Sequence, residues 1–166
     1  MATFGRRNRQ VDNRVAAPTS PVKGPEESAH HEEKHVKYLI LIYSNPETWG
    51  HPSFLRTKEG QALSADERDA LTAQLEQLLA ELTASGELVQ GAALADPLTA
   101  RTVRVRDSAA VATDGPFVET KEQMAGLFLV DCATPERAEE IAARFPEARF
   151  SAVEVRPVMG SSGEEM

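Results

Sequence analysis

Hydrophobic positions along this chain follow two periods, and their succession lays out a fold. From Val36 to Tyr43 almost every residue is apolar, with Tyr38, Ile40 and Ile42 on one side and Leu39, Leu41 and Tyr43 on the other. The β-branched and aromatic content predicts a strand, and apolar residues on both sides predict that both of its faces are covered. Leu127 to Val130 repeats the pattern within a strand predicted over Met124 to Asp131. Between these runs Leu71, Leu75, Leu78, Leu79 and Leu82 recur at helical spacing. That stripe is too short for a coiled-coil seam and reads as core. The helix carries its own boundaries: Ser64 and Glu67 have capping-box spacing, Asp66 and Glu67 suit the positive end of the dipole, and Gly86 stands where a C-cap belongs. A second helix begins at Thr134 with Pro135 in its first position. It turns Ala138, Ile141, Ala142 and Phe145 to one side and stops at Pro146.

Shorter strands complete the pattern. Leu88 to Leu94 is interrupted by Gly91, and Asp96-Pro97 turns the chain. In Thr102 to Arg106, Val103 and Val105 alternate with Thr102, Arg104 and Arg106, and Ala109 to Thr113 pairs back around Asp107-Ser108. Val153 to Arg156 closes the sheet. Strand, helix, strand, hairpin, strand, helix, strand is the order of an α+β, ferredoxin-like split β-α-β fold with an antiparallel sheet. Both helices must then lie on one face. The opposite face is apolar on the first strand and on Leu127 to Val130, yet has no cover from its own chain. A second copy related by two-fold symmetry, sheet against sheet, is the simplest partner, so a homodimer is expected.

Composition narrows the class. The 166 residues carry a net charge of −8, with 27% charged and 41% hydrophobic, which suits one domain with tails. The domain is expected over residues 36–158, with a disordered arm over 1–35 and a disordered tail over 159–166. No run approaches the roughly 18 apolar residues of a membrane span, so no membrane association is expected. Arg6 and Arg7 are followed by no apolar stretch, and Cys132 is the single cysteine, expected to be packed. Together these point to the cytoplasm. The acidic balance and 5% aromatic content argue against a nucleic-acid surface. His31 and His35 have the i, i+4 spacing of a ligand pair, but they fall in the arm where nothing folded would hold them. No metal site and no cofactor is expected.

Candidate chemistry lies in two places. The connection from Ser44 to Leu63 has the length of a binding loop and carries Trp49, His51 and Phe54, with His51 a candidate pocket residue. The second place is Asp114-Gly115-Pro116-Phe117 and the Val118-Glu119-Thr120-Lys121-Glu122 that follows. Gly115 tolerates positive φ, Pro116 fixes φ, Asp114 can bond the amides ahead of it, and Phe117 offers an apolar anchor. Thr120 and Gln123 are placed to cap each other in a single turn. Asp114 is the candidate catalytic base, with Lys121 or Arg156 as anion anchor and Glu119 beside them. The alternative is a purely structural turn. Arg104, Glu154 and Arg156 alternate with valines expected to face the helices, so they should point to the open face or its rim. There they either pair with one another or line a ligand cleft with Tyr43, Asp114 and Phe117.

The succession Arg101-Thr-Val-Arg-Val-Arg106, then Asp114-Gly-Pro-Phe-Val-Glu-Thr-Lys-Glu-Gln-Met-Ala-Gly-Leu-Phe128, then Val153-Glu-Val-Arg-Pro157 resembles the YCII-related family, and within it the subgroup named for the DGPF tetrapeptide. Tyr38 to Tyr43 looks like the first strand of that subgroup, so the resemblance covers Val36 to Val158. It implies a dimeric α+β barrel, an assembly shared with muconolactone isomerase. Some YCII-type proteins pair a histidine on the first helix with an aspartate as an acid-base dyad. The helix from Ser64 to Ser85 contains no histidine, so that dyad is not carried over. Members of the subgroup are often encoded beside extracytoplasmic-function sigma factors. The resemblance therefore implies a homodimeric small-ligand-binding or regulatory protein, with a regulatory protein partner, in such a system. The alternative is a small-molecule isomerase, lyase or hydrolase using acid-base chemistry in the dimer cleft.

Overall fold

A strand as apolar as β1 (Val36–Ser44) belongs inside a sheet rather than at its edge, and it takes an inner position. In the computed structural model, which describes residues 35–160, β1 is an inner strand of a four-stranded antiparallel sheet. Its neighbours are β5 (Gln123–Cys132) and β6 (Val153–Pro157), while β2 (Leu88–Ala93) pairs with the far side of β5. The spatial order β2-β5-β1-β6 is that of a ferredoxin-like fold. The expected arm up to residue 34, with His30 and His31, lies outside the described residues, as do residues 161–166.

Helix α2 (Ala65–Ser85) starts as the sequence predicts. Ser64 accepts from the Glu67 amide while the Glu67 carboxylate accepts from the Ser64 amide at 2.9 Å. Gly86 ends the helix at φ 79°, in the left-handed region that favours glycine. Helix α3 (Pro135–Arg144) is capped by Thr134, whose hydroxyl accepts from the Arg137 amide at 3.2 Å. Both helices pack on the same face of the sheet. Leu78 and Leu82 of α2 and Ala138, Ile141 and Ala142 of α3 meet Tyr38, Ile40, Ile42, Val130 and Cys132 in one buried core. Arg137 ties α3 to the end of α2 through a two-pronged bond to Glu87, Nε to Oε1 at 2.7 Å and Nη2 to Oε2 at 2.9 Å. The arginine holds the Glu87 carboxyl below the usual carboxylate range. Cys132 is buried, as expected, and that burial pushes its thiol up to about 11.

The register places Leu39 opposite Leu129 and Leu41 opposite Leu127, with Glu154 and Arg156 of β6 on the same side. None of the described helices covers this face. The expectation that both helices share one side of the sheet holds.

Three features differ from expectation. The Ser44–Leu63 connection is folded rather than open: it contains two 3-10 turns (Pro46–Thr48 and Ser53–Arg56) and the short helix α1 (Lys58–Ala62). Phe54 provides the reason, since it is 1% exposed and stacks on Phe150. Gly60 sits so close that an added Cβ would lie 1.9 Å from the Phe54 carbonyl oxygen. Next, β3 (Arg101–Arg106) and β4 (Ala109–Asp114) pair with each other, in a two-stranded sheet separate from the main one. Val103 and Val105 are 62% and 71% exposed, so they do not face the helices, and Arg104 between them stands on no strand of the main sheet. The tight Asp107-Ser108 turn, with φ 48° and 65°, closes the hairpin without requiring a third strand to pair with it. Finally, Thr120 and Gln123 are bonded at 3.1 Å but form no helical turn.

Candidate functional site

Small residues on one sheet edge leave room that the leucine stripe does not fill. Gly91, Ala92 and Ala93 of β2 stand beside Ala125 and Gly126 of β5, where a shift in the β1–β5 register between Ile42 and Tyr43 sets Ala125 apart. Above them pass Leu75 and Leu79 of α2, which are half-buried, whereas Leu71, Leu78 and Leu82 are buried. The stripe expected to be uniform core is therefore divided. Three leucines fill the core, and two form the roof of a cavity of about 520 Å³. Phe128 forms part of its wall and packs against Phe145 with ring centroids 4.7 Å apart. The volume falls in the range typical of small-molecule sites.

Three polar residues interrupt this apolar lining. His51 and Ser53 arrive on the folded connection, and Glu147 arrives on the 3-10 turn Pro146–Arg149 between α3 and β6. The His51 ring meets Trp49 edge-on, and its Nε2 lies 2.8 Å from the Leu94 carbonyl oxygen. A carbonyl only accepts, so Nε2 carries a proton and donates to it. Glu147 is 7% exposed. Its Oε1 accepts from the Ser53 hydroxyl at 3.3 Å, and its Oε2 is buried without a donor. Burial raises the carboxyl above its ordinary value, against the pull of its own backbone amide, of Ser53 and of the His51 charge. A carboxyl and an imidazole thus share one apolar cavity.

The other candidate residues fall into separate groups. Tyr43 donates to Glu154 Oε2 at 2.9 Å, and Arg156 bonds the same carboxylate, so these three meet on the open face of the sheet. Burial and the Glu154 bond hold the Tyr43 phenol above its ordinary value. Arg104 lies over the Phe117 ring at 5.2 Å on the hairpin. Phe117 is 70% exposed, so it does not anchor the turn as expected. Asp114 is paired with Arg101 at 3.3 Å instead of with the amides ahead of it. The corner is held instead by Gly115, φ 91°, whose amide donates to Ala100 and whose carbonyl accepts from Thr102. Lys121 lines a polar hollow with Glu122, Glu47 and Glu59, and Glu119 is exposed. Asp114 and Phe117 do not close over a cleft with Tyr43, Glu154 and Arg156. The expected single site is two clusters and a hairpin, and the cavity lies on the helix face rather than between paired sheets.

Glu147 is absent from the sequence-based candidates. In sequence it is an ordinary acidic residue after a proline; its burial depends on a segment almost a hundred positions earlier. The cavity did have a local signal, in the small residues at 91–93 and 125–126 facing a continuous leucine stripe.

The profile of the YCII-related domain matches residues 36–162. Over 99 residues the chain is 33% identical to an uncharacterized protein of Rhizobium meliloti (strain 1021), covering 58% of this chain and 80% of that protein. Fold, profile match and similarity agree: the chain belongs to the YCII-related family.

Proposed function

We propose that this protein is a homodimeric small-molecule-binding protein whose ligand occupies the cavity between α2 and the β2–β5 edge. The carrying observation is the combination of about 520 Å³ of apolar space with His51 and Glu147 on its wall. A cavity built only by packing error would not place a nearly buried carboxyl against leucines and a phenylalanine. Dimerisation rests on Leu39, Leu127 and Leu129, which are only half-buried and have no helix over them among the described residues. A fragment screen by NMR on the full chain tests the cavity. Binding should perturb Leu79, Ala93 and His51 together, and Ala93→Phe, which fills the space, should abolish it. Perturbations confined to the open sheet face would sink the assignment.

A second reading, acid-base catalysis, draws on the same pair. A carboxyl raised by burial and an imidazole lining the same cavity are suited to move a proton on a bound carbon acid. It predicts exchange of a bound ligand's acidic C–H for deuterium in heavy water, lost in Glu147→Gln. Binding without exchange across a panel of carbon acids would leave the binding role alone.

A further inference from the structure

We infer that the cavity selects an uncharged, largely hydrocarbon ligand and discriminates against organic anions and organic cations alike. This names the ligand class for the binding reading above and rests on it. The first ground is the wall itself. Ile42, Leu75, Leu79, Leu88 and Phe128 meet the small residues of β2 and β5 around about 520 Å³, and among the described residues lining it none is a lysine or arginine. An anion entering this space would give up its hydration and find no such side chain to pair with. The second ground is that the polar groups around the wall are bonded to protein. The Ser53 hydroxyl donates to Glu147 Oε1, His51 Nε2 donates to the Leu94 carbonyl, and the Leu94 amide donates to the Ala125 carbonyl at 2.8 Å. Gly126 and Phe128 stand on β5, which is paired on one side with β1 and on the other with β2. A ligand rich in donors and acceptors would therefore exchange bonds to water for contacts with carbon. The third ground concerns cations. The acidic side chain on the wall is Glu147, 7% exposed, and its burial favours the uncharged carboxyl. An ammonium ion would have to restore that charge inside an apolar site as well as shed its own water. What remains to hold a ligand is apolar area removed from water.

The test uses three matched probes on the full chain: 4-phenylbutan-1-ol, 4-phenylbutylamine and 4-phenylbutyrate, titrated by NMR at neutral pH. The alcohol should bind at least about tenfold tighter than either ion, the scale of a charge left unpaired in an apolar site. Lengthening the neutral series from 2-phenylethanol to 4-phenylbutan-1-ol should tighten binding about fourfold per methylene. On lowering the pH from about 7 to about 6, 4-phenylbutyrate should gain about tenfold, because its neutral acid becomes that much more abundant, while the alcohol changes little. Ala93→Phe, with its other resonances kept, should remove binding of every probe. An ion that binds as tightly as the alcohol would overturn the selection of uncharged ligands and leave the cavity assignment intact. So would a carboxylate whose affinity ignores this change of pH. Alcohol binding that survives Ala93→Phe, or failure of every probe and of the fragment screen, would overturn both proposals together.

Discussion

Glu147 and Glu87 titrate in opposite directions, and the difference follows from what each touches. Glu87 faces the Arg137 guanidinium on two prongs, so its folded-state value is depressed. Its contribution to stability is complete above the ordinary carboxyl value and is lost as pH falls through the depressed one. Glu147 is raised by burial, so its contribution is complete below the ordinary value of 4.5 and is lost as pH rises through the raised one. Glu147→Gln should therefore stabilise the protein at neutral pH, with the gain shrinking as pH falls through the raised value and gone below about 4.5. Urea unfolding across a pH series measures it. A gain independent of pH would show that burial is not what sets this carboxyl. Arg137→Ala should cost about 1–3 kcal/mol, as expected when a half-buried, two-pronged charged bond loses one partner. Asp114→Ala, by contrast, removes a pair whose side chains are 63% and 87% exposed, and should change stability by no more than about 0.5 kcal/mol.

At the scale of elements, helix boundaries were legible because they are set locally. Ser64, Glu67 and Gly86 specify α2 within a few residues of its ends, and Thr134, Pro135 and Pro146 do the same for α3. Ser64→Ala should cost about 1 kcal/mol in thermal or chemical unfolding, with the loss confined to the first turn of α2 by hydrogen exchange. The β3–β4 hairpin was equally legible as a pairing, because two residues at positive φ define its turn. Its destination was not legible. An alternating valine pattern states that a strand has two unlike faces, but not whether anything packs on the apolar one, and Val103 and Val105 face outward here. The same limit explains the site. Tyr43, Glu154 and Arg156 are bonded to one another from paired strands of the main sheet, whereas Arg104 and Asp114, expected beside them, stand on the separate hairpin.

For the molecule as a whole, the sheet separates two kinds of surface. The helix side holds the core and the cavity; the other side presents Leu39, Leu127 and Leu129, half-buried, around the Tyr43–Glu154–Arg156 cluster. If two copies meet there, Leu129→Asp should shift sedimentation from dimer to monomer at micromolar concentration, because an unpaired charge would have to be buried in the interface. A wild-type chain that sediments as a monomer would remove the sheet-to-sheet assembly. Among the described residues no helix is long and apolar enough to cross a membrane. The cavity and the proposed interface are on opposite sides of one sheet, so a mutation at either can be read without disturbing the other.

That separation also bears on how the cavity can be resized. Gly91 and Gly126 are fixed by their neighbours, since an added Cβ would come within 2.9 Å of the Phe128 ring and 2.8 Å of the Ala92 carbonyl oxygen, respectively. Ala93 already carries a Cβ, lies exposed on an edge strand and still borders the cavity. Leu75 and Leu79 border it without belonging to the fully buried core. Cavity size is thus set at positions on which folding makes the fewest demands. If the proposed ligand occupies the cavity, three side chains can adapt it to a bulkier or smaller one on the same scaffold, and a designer can follow the same route.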